Sequence, residues 1–328
     1  MSKNNKIKVG VVGAGHLGRF HVEQYLALGE TIDFIGFFDT SKEVANKISK
    51  DLMVVSYDYL NDLLDNCDAV SICTPTSIHA EIAKEAILRN CHVLIEKPIT
   101  KNIKEAEELI VLADEKKKTI QVGHIERFNP AFCALNKKNI TPQFIESHRL
   151  APFNIRGTDV DVVLDLMIHD IDILLTLVNS DIRSINASGV SVLSNTIDMA
   201  NTRIEFKNGC VANMTASRIS QKKLRKFRIF EPFSYTNIDF LNPCVETYVL
   251  SNKKPEHDCS YIVMNQNEEK YILYDKPTII SHNALKMELG NFVQSILQDE
   301  EPAVTGVDGL NALKIAMQIR SQIKNNNS

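Results

Sequence analysis

The chain has 328 residues, a length that suggests about two domains. Its hydrophobic content of 44%, charged content of 24% and net charge of -4 are ordinary for a globular protein and indicate neither a nucleic-acid nor a membrane-surface partner. No run approaches ~18 apolar residues, the first residues lack a signal-peptide pattern, and the seven cysteines form no CxxC pair. We therefore expect a cytoplasmic protein with free thiols and no metal site.

The first third of the chain alternates between short apolar runs and amphipathic segments. Strands are predicted at 7–12, 32–38, 69–73, 92–95 and 119–122. Helices are predicted near 16–28, 41–50, 59–65, 78–90 and 101–117. The strands are continuously apolar and rich in β-branched residues, which favours a mostly parallel sheet covered on both faces. The predicted fold class is α/β, with a first domain over residues 1–124.

The pattern changes after about residue 125, where a second domain is predicted over 125–328. It begins with helices over 126–138 and 163–178. Strands follow without helical crossovers, at 182–192, 202–206, 210–216, 226–230, 236–240, 246–250, 261–264 and 271–274. These features predict an open, mostly antiparallel sheet. Two helices near 283–298 and 308–323 end the chain, with Asp308 as the expected N-cap of the second.

A glycine-rich loop joins the first strand to the first helix and reads Gly13-Ala14-Gly15-His16-Leu17-Gly18. This is the GxGxxG pattern of a Rossmann domain, in which the glycines permit a tight turn, close approach of a pyrophosphate, and helix–strand packing. Asp39 ends the second strand, where a carboxylate accepts hydrogen bonds from a ribose and repels a 2′-phosphate. The motif predicts NAD as cofactor; a glycine turn without ligand, with Asp39 as a helix cap, is the alternative.

Two further loops follow strands of the same predicted sheet. Thr74-Pro75-Thr76 and Glu96-Lys97-Pro98 both lie at its carboxyl edge, where open α/β sheets bind ligands. We expect the first loop to contact the nicotinamide half of the cofactor. Glu96 and Lys97 are assigned to the same site, and the lysine could stabilise a developing alkoxide. Ordinary solvent turns are the alternative for both loops.

Asp165 and His169 lie four residues apart on a strongly apolar predicted helix and so share a face. Two ionisable groups in such a segment are costly to bury without partners or a purpose. Catalytic groups often occupy such surroundings, where their pKa values can be tuned. The pair is a candidate acid–base site, and a satisfied core histidine is the alternative.

Together these motifs resemble the Gfo/Idh/MocA family of oxidoreductases over nearly the whole chain. The resemblance implies a Rossmann domain followed by an α/β domain for substrate binding, whose open sheet often makes the interface of a dimer or tetramer. It implies Lys97 and His169 as catalytic residues, with Asp165 beside them. Which of Lys97 and His169 takes the substrate proton is left open.

A narrower likeness is to the UDP-N-acetylglucosamine 3-dehydrogenase group of lipid A biosynthesis. It rests on the segments Gly15–His21, Gly123–Pro130, Val163–Asp170, Phe206–Asn213 and Thr215–Arg218. In that group a pyridoxal-phosphate aminotransferase consumes the 3-keto product. The alternatives are oxidation of an inositol, a free sugar or a UDP-uronic acid, or a non-enzymatic dinucleotide sensor.

Three residues are predicted to contact the substrate. Arg127 and Asn129 follow the last strand of the first domain. Arg218 opens a basic cluster over 222–226 that could meet a diphosphate, with a solvated loop as the alternative.

Overall fold

The computed structural model describes residues 6–29, 31–135, 140–154, 160–253, 260–265 and 268–326. The chain forms two compact units. The first comprises residues 1–128 and 283–314, and the second comprises residues 129–282 and 315–328. The predicted boundary at residue 124 is close to the first junction, but it assigns 283–314 to the second domain. Among the described residues, no helix is long and apolar enough to cross a membrane.

The first unit is built on a parallel sheet that has six strands within the described residues. They are β1 (Ile7–Val12), β2 (Ile32–Phe38), β3 (Ser56–Tyr57), β4 (Ala69–Ile72), β5 (His92–Glu96) and β6 (Ile120–Gly123). Their spatial order is β3-β2-β1-β4-β5-β6, which is the doubly wound order with its switch point between β1 and β4. The carboxyl ends of all six strands meet at one edge, so the loops after β1, β4 and β5 lie there together.

Helices between the strands complete this unit. They are α1 (His16–Leu28), α2 (Lys42–Leu52), α3 (Leu60–Leu64), α4 (His79–Leu88) and α5 (Ile103–Lys116). A later helix, α8 (Ala284–Gln298), joins them because Leu289, Phe292 and Val293 are buried in the core beside Val22 and Tyr25 of α1. This packing of apolar side chains explains why residues 283–314 belong to the first unit.

His92 begins β5 and is half-buried. Its Nδ1 accepts a hydrogen bond from the Thr119 N–H at 3.0 Å, which requires the neutral ring. Burial, followed by the charge of Lys118, lowers the pKa of His92 to about 4. In the unfolded chain that pKa is about 6.5. The fold therefore gains stability from His92 above pH ~6.5 and loses it as the pH falls toward 4.

We expect the melting temperature of the wild type to fall more steeply between pH 6.5 and pH 4 than that of His92→Gln. The glutamine carbonyl can accept the same bond and does not titrate. Thermal unfolding followed by circular dichroism over this pH range measures the difference, and equal slopes would contradict the assignment.

The second unit is built on an open sheet that has nine strands within the described residues. They are β7 (Phe144–Leu150), β8 (Ile182–Val190), β9 (Met199–Phe206), β10 (Val211–Ser217), β11 (Leu224–Glu231), β12 (Ser234–Asp239), β13 (Cys244–Ser251), β14 (Ser260–Asn265) and β15 (Glu268–Asp275). Their order is β14-β15-β13-β12-β11-β7-β10-β9-β8. Every pairing is antiparallel except β7 with β10. The predicted α/β class, with one parallel and one mostly antiparallel sheet, is confirmed.

β7 was not predicted, although it lies inside the sheet between β11 and β10. Of its residues on the buried face, Ile145 is apolar but Ser147 and Arg149 are polar. The period-2 apolar pattern that marks a half-buried strand is therefore missing.

Short helical elements precede and follow β7 in the chain. A 3₁₀ turn covers Ile125–Phe128 and α6 covers Pro130–Ala134, where a single helix over 126–138 was predicted; residues 136–139 lie outside the described residues. The predicted helix over 163–178 is a π-helical turn, Val163–Met167, followed by α7 (Ile168–Leu177).

The last helix, α9, spans Gly306–Asn326, and the boundary between the two units falls within it. Asp308 is not its N-cap. The Asp308 carboxylate accepts a bond from the Thr305 N–H at 2.8 Å, and Thr305 Oγ1 accepts one from the Asp308 N–H at 3.1 Å. This reciprocal pair is a capping box with Thr305 as the cap.

Candidate functional site

The glycine-rich loop between β1 and α1 has the conformation that a dinucleotide site needs. Gly13 has φ +83°, a conformation that side chains disfavour, and its N–H donates to the Phe38 carbonyl at 2.8 Å. A Cβ on Gly18 would lie 1.8 Å from the Gly13 carbonyl oxygen, so only glycine fits there. A Cβ on Gly15 would meet nothing within 4 Å, which leaves open space above the loop.

The first turn of α1 presents backbone donors to that space. Gly15 is the N-cap and supplies no side-chain bond, while His16 and Leu17 are exposed. Unpaired N–H groups and the positive end of the helix dipole favour an anion at this position. This part of the structure therefore fits a pyrophosphate.

Asp39 lies directly after β2 and is half-buried. One carboxylate oxygen accepts a bond from the Ala14 N–H at 2.7 Å, and the other accepts one from the Ser41 N–H at 2.8 Å. Asp39 thus fixes the glycine-rich loop. Each oxygen retains further acceptor capacity, which a ribose hydroxyl can use.

The loop after β4 contributes Thr74, Pro75 and Thr76, of which Pro75 is exposed. Thr74 Oγ1 is buried and has no hydrogen-bond partner among the described residues. The Thr74 Cγ2 methyl lies next to Gly13, 2.8 Å from where a Cβ would be. A buried hydroxyl without a partner, beside the glycine-rich loop, is the kind of group that a bound ligand satisfies.

Glu96 ends β5, and the loop after it begins with the half-buried Lys97 and Pro98, which are joined by a cis peptide bond. Glu96 is 7% exposed and lies 3.0 Å from Nε2 of His21 on α1. Burial acts to raise the pKa of Glu96, but the His21 hydrogen bond and the charges of His21 and Lys97 outweigh it and hold the pKa below its ordinary value. The carboxylate also accepts a bond from the Lys97 N–H at 3.2 Å.

In the second unit, Asp165 lies in the π-helical turn and His169 in the first turn of α7. Both keep part of their surface accessible, as does Leu166, whereas the apolar residues around them are buried. π-helical turns are often found at functional sites. Asp165 and His169 therefore keep accessible surface within a segment whose apolar residues are mostly buried.

Asp161 holds the turn that carries Asp165. Its Oδ1 accepts bonds from the N–H groups of Val163 and Leu164, each at 3.2 Å, and its Oδ2 accepts one from Arg320 of α9. This cap was not predicted from the sequence. An aspartate directly before an apolar helix is an N-cap signal that could have revealed it.

A buried ion pair fixes α7 next to His169. The Arg149 guanidinium of β7 contacts the Asp170 carboxylate through two nitrogens, the shorter distance being 2.7 Å. Both side chains are under 5% exposed. No local sequence pattern reveals a pair whose partners lie on different elements.

A cavity of about 350 Å³ opens beside Asp165 in the second unit. It is lined by Ala151, Pro152, Phe153, Asn154, Asp165, Leu166, Arg218 and Lys223. Lys223 is exposed, so its ammonium can meet an anion that enters the cavity.

Arg218 has a structural role that the sequence did not indicate. Its guanidinium binds Asp198 at 2.8 Å, the Val160 carbonyl at 2.7 Å, and the hydroxyls of Ser194 and Thr196. Burial acts to raise the pKa of Asp198, but bonds from Ser194, backbone N–H groups and Arg218 hold it well below its usual range. Within the predicted basic cluster, Lys223 lines the cavity and is exposed.

Arg127 and Asn129 also have structural partners. Arg127 donates to the Ala303 carbonyl at 3.1 Å and lies 3.5 Å from the Asp308 carboxylate. Asn129 caps α6 and donates to the Phe240 carbonyl at 3.0 Å. Their contact with a substrate stays a prediction. Among the described residues, no group of three or more histidine, cysteine or acidic side chains could hold a metal ion.

Two family descriptions match the chain. Residues 7–124 match an oxidoreductase family with an NAD-binding Rossmann fold, and residues 146–230 match the GFO/IDH/MocA C-terminal domain.

Among known proteins, a UDP-N-acetylglucosamine 3-dehydrogenase from Acidithiobacillus ferrooxidans is 35% identical over 97% of each chain. A solved structure of that enzyme superposes with a TM-score of 0.87, at 34% identity and 98% coverage of both chains. A scyllo-inositol dehydrogenase from Lactobacillus casei, solved with bound NAD(H) and scyllo-inositol, has the same fold at 21% identity, with a TM-score of 0.77 and 98% coverage of both.

Proposed function

The chain belongs to the Gfo/Idh/MocA oxidoreductase family and is an NAD-dependent sugar dehydrogenase, and on that basis we propose that it oxidises the 3-hydroxyl of UDP-N-acetylglucosamine to a ketone. The observation that carries the proposal is the 35% identity, over nearly the full length of both chains, to an enzyme of that activity. The cavity beside Asp165, with Lys223 on its wall, supports an anionic substrate.

We assign cofactor binding to residues of the first unit. Gly13, Gly15 and Gly18 make room for the cofactor pyrophosphate, which meets the first turn of α1 at His16 and Leu17. The Thr74-Pro75-Thr76 loop contacts the nicotinamide half. Asp39 holds the adenosine ribose. NAD supplies the hydride acceptor when bound.

Lys97 and His169 act on the substrate hydroxyl. We propose that His169 takes the hydroxyl proton as general base and that Lys97 donates a hydrogen bond to the same oxygen, which stabilises its developing negative charge. Asp165 orients the reacting group, and Glu96 fixes the Lys97 backbone through the bond that it accepts. Lys97 and His169 can exchange these two roles without changing the products of the reaction. The proposal requires the loop at 97 and the turn at 165–169 to converge on one substrate.

Arg218 and Lys223 should respond differently to substitution. We expect Arg218→Ala to lower the free energy of unfolding by about 3–5 kcal/mol, because it leaves Asp198 buried without its partner. Lys223→Ala should leave stability unchanged and raise KM for UDP-N-acetylglucosamine. Urea unfolding and initial rates measure the two effects, with Lys222→Ala as the exposed control; a KM equal to wild type for Lys223→Ala would exclude the lysine from the site.

Cofactor preference should depend on Asp39. We expect kcat/KM to be higher with NAD than with NADP in the wild type, because the Asp39 carboxylate repels a 2′-phosphate. In Asp39→Ala, the ratio of kcat/KM with NAD to kcat/KM with NADP should fall sharply. The matched control is Asp33→Ala, an exposed acid near the other end of β2. Initial rates with both cofactors measure the ratio, and an unchanged ratio in Asp39→Ala would refute the role.

A substrate panel tests the proposed function against its rivals. The protein is incubated with NAD and, separately, UDP-N-acetylglucosamine, a UDP-uronic acid, N-acetylglucosamine and scyllo-inositol, and NADH formation is followed by absorbance. We expect the highest kcat/KM with UDP-N-acetylglucosamine. A higher kcat/KM with an inositol or a free sugar would contradict UDP-N-acetylglucosamine as the substrate. If no compound gives NADH, the result would favour a non-enzymatic dinucleotide sensor.

We further propose that the chain forms a homo-oligomer through the outer face of the second sheet. That face carries a row of aromatic rings, Phe144, Phe230, Tyr235, Tyr248 and Tyr274, whose neighbouring centroids lie 5.0–5.8 Å apart. Light scattering tests whether the particle is a dimer or a tetramer.

The proposed ketone product is a substrate for a pyridoxal-phosphate aminotransferase, which would draw the reaction forward.

Free thiols at the six cysteines within the described residues fit a cytoplasmic location.

A further inference from the structure

His79 is a buried residue of the first unit that belongs to none of the motifs assigned above. It is the first residue of α4 and is 1% exposed. We propose that His79 is a positioning residue that ties the loop after β4 to the loop after β5 and thereby fixes Lys97 for the reaction. This inference rests on the catalytic role that the proposed function gives to Lys97.

The two ring nitrogens of His79 face carbonyl oxygens on different loops. Nε2 lies 2.8 Å from the Thr74 carbonyl oxygen, and Nδ1 lies 3.0 Å from the Pro98 carbonyl oxygen. Thr74 belongs to the loop assigned to the nicotinamide half, and Pro98 directly follows Lys97. One side chain therefore connects the backbone of the cofactor loop to the backbone of the lysine loop.

Lys97 is held from its other side as well. Its N–H donates to the Glu96 carboxylate, which is itself bonded to the buried His21 of α1. Glu96 accepts from the N–H of Lys97, and His79 lies against the carbonyl of Pro98, the next residue. The backbone on each side of Lys97 thus has a side-chain contact, and these contacts lead back to His21 of α1 and to α4.

This arrangement matters because Lys97 acts through a long flexible side chain. A misplacement of a reacting group by ~1 Å costs about 100-fold in rate, so the backbone from which the Lys97 side chain extends must be held in place. Burial lowers the pKa of His79. A neutral ring carries one N–H and donates to one of the two carbonyl oxygens, while a protonated ring donates to both.

The test is a double-mutant cycle between His79→Phe and Lys97→Ala, with NAD and UDP-N-acetylglucosamine as substrates. Phenylalanine keeps the ring volume and removes every hydrogen bond that the imidazole can donate. We expect His79→Phe alone to lower kcat about 10- to 100-fold with little change in KM for NAD. In the Lys97→Ala background the same change should have almost no effect on kcat, because no ammonium remains to be positioned. Residual product is measured by mass spectrometry.

Two further variants separate positioning from stability. His79→Gln retains a donor that can reach one carbonyl, and we expect it to recover part of the lost kcat. His92→Gln alters a histidine at the opposite end of β5 and should keep wild-type kcat. If His79→Phe does not fold, the primary deuterium isotope effect of His79→Gln is compared with wild type; a slower chemical step raises it.

The outcomes are distinct. Equal losses of kcat on His79→Phe in the wild-type and Lys97→Ala backgrounds would overturn the inference, because independent effects multiply. So would wild-type kcat in His79→Phe, or an unchanged isotope effect in His79→Gln. Wild-type kcat in Lys97→Ala would instead overturn the proposed role of Lys97 itself.

Discussion

Replacing either Lys97 or His169 with alanine should nearly abolish turnover while NAD binding is retained. Loss of a general base costs about 10²–10⁴-fold in rate, and loss of a donor to a developing oxyanion costs about 10²–10³-fold. We expect kcat with UDP-N-acetylglucosamine to fall by these factors in His169→Ala and Lys97→Ala. Stopped-flow or endpoint measurement of NADH gives kcat, and fluorescence titration gives the NAD dissociation constant.

Matched controls separate these losses from damage to the fold. Lys101→Ala removes an exposed lysine near the same loop, and His148→Ala removes a half-buried histidine of β7 in the second unit. Both controls should keep wild-type kcat. Near-wild-type turnover in Lys97→Ala or His169→Ala would contradict the catalytic assignment.

The second large effect is expected at the glycine-rich loop. In Gly18→Ala the new methyl would lie 1.8 Å from the Gly13 carbonyl oxygen, so the turn must deform. We expect this variant to lose NAD binding and about 1–3 kcal/mol of stability, the usual range for overpacking. Isothermal titration calorimetry and urea unfolding measure the two quantities.

Gly15→Ala is the matched variant, because its methyl meets no protein atom within 4 Å. It should keep wild-type stability but bind NAD more weakly, because the methyl group occupies the space that the pyrophosphate needs. Strong NAD binding by Gly18→Ala, or unimpaired NAD binding by Gly15→Ala, would contradict the proposed cofactor position.

Much of the first unit could be predicted because its signals are local. Apart from the two-residue β3, these strands are rich in apolar residues and carry few polar ones, and the glycine pattern after β1 identifies the ligand edge of the sheet. In the second unit, β8 to β12 alternate between buried and more exposed residues, and this period-2 pattern reveals them.

The features that were missed depend on contacts between distant segments. β7 has polar residues on its buried face because Arg149 pairs with Asp170, and the position of α8 depends on the apolar surface that α1 offers. The contacts of Arg218 and His79 were missed for the same reason. Their partners at Asp198 and at the Thr74 and Pro98 carbonyls become neighbours only in the folded chain.

The most direct test of the account is transfer of label from a substrate carbon to the cofactor. UDP-N-acetylglucosamine deuterated at C3 of the sugar is incubated with the protein and NAD, and the reduced cofactor is analysed by mass spectrometry. Oxidation of the 3-hydroxyl predicts that the deuterium appears in the reduced cofactor and that the sugar nucleotide becomes a ketone. Reduced cofactor without deuterium would contradict it, because the hydride would then come from another carbon.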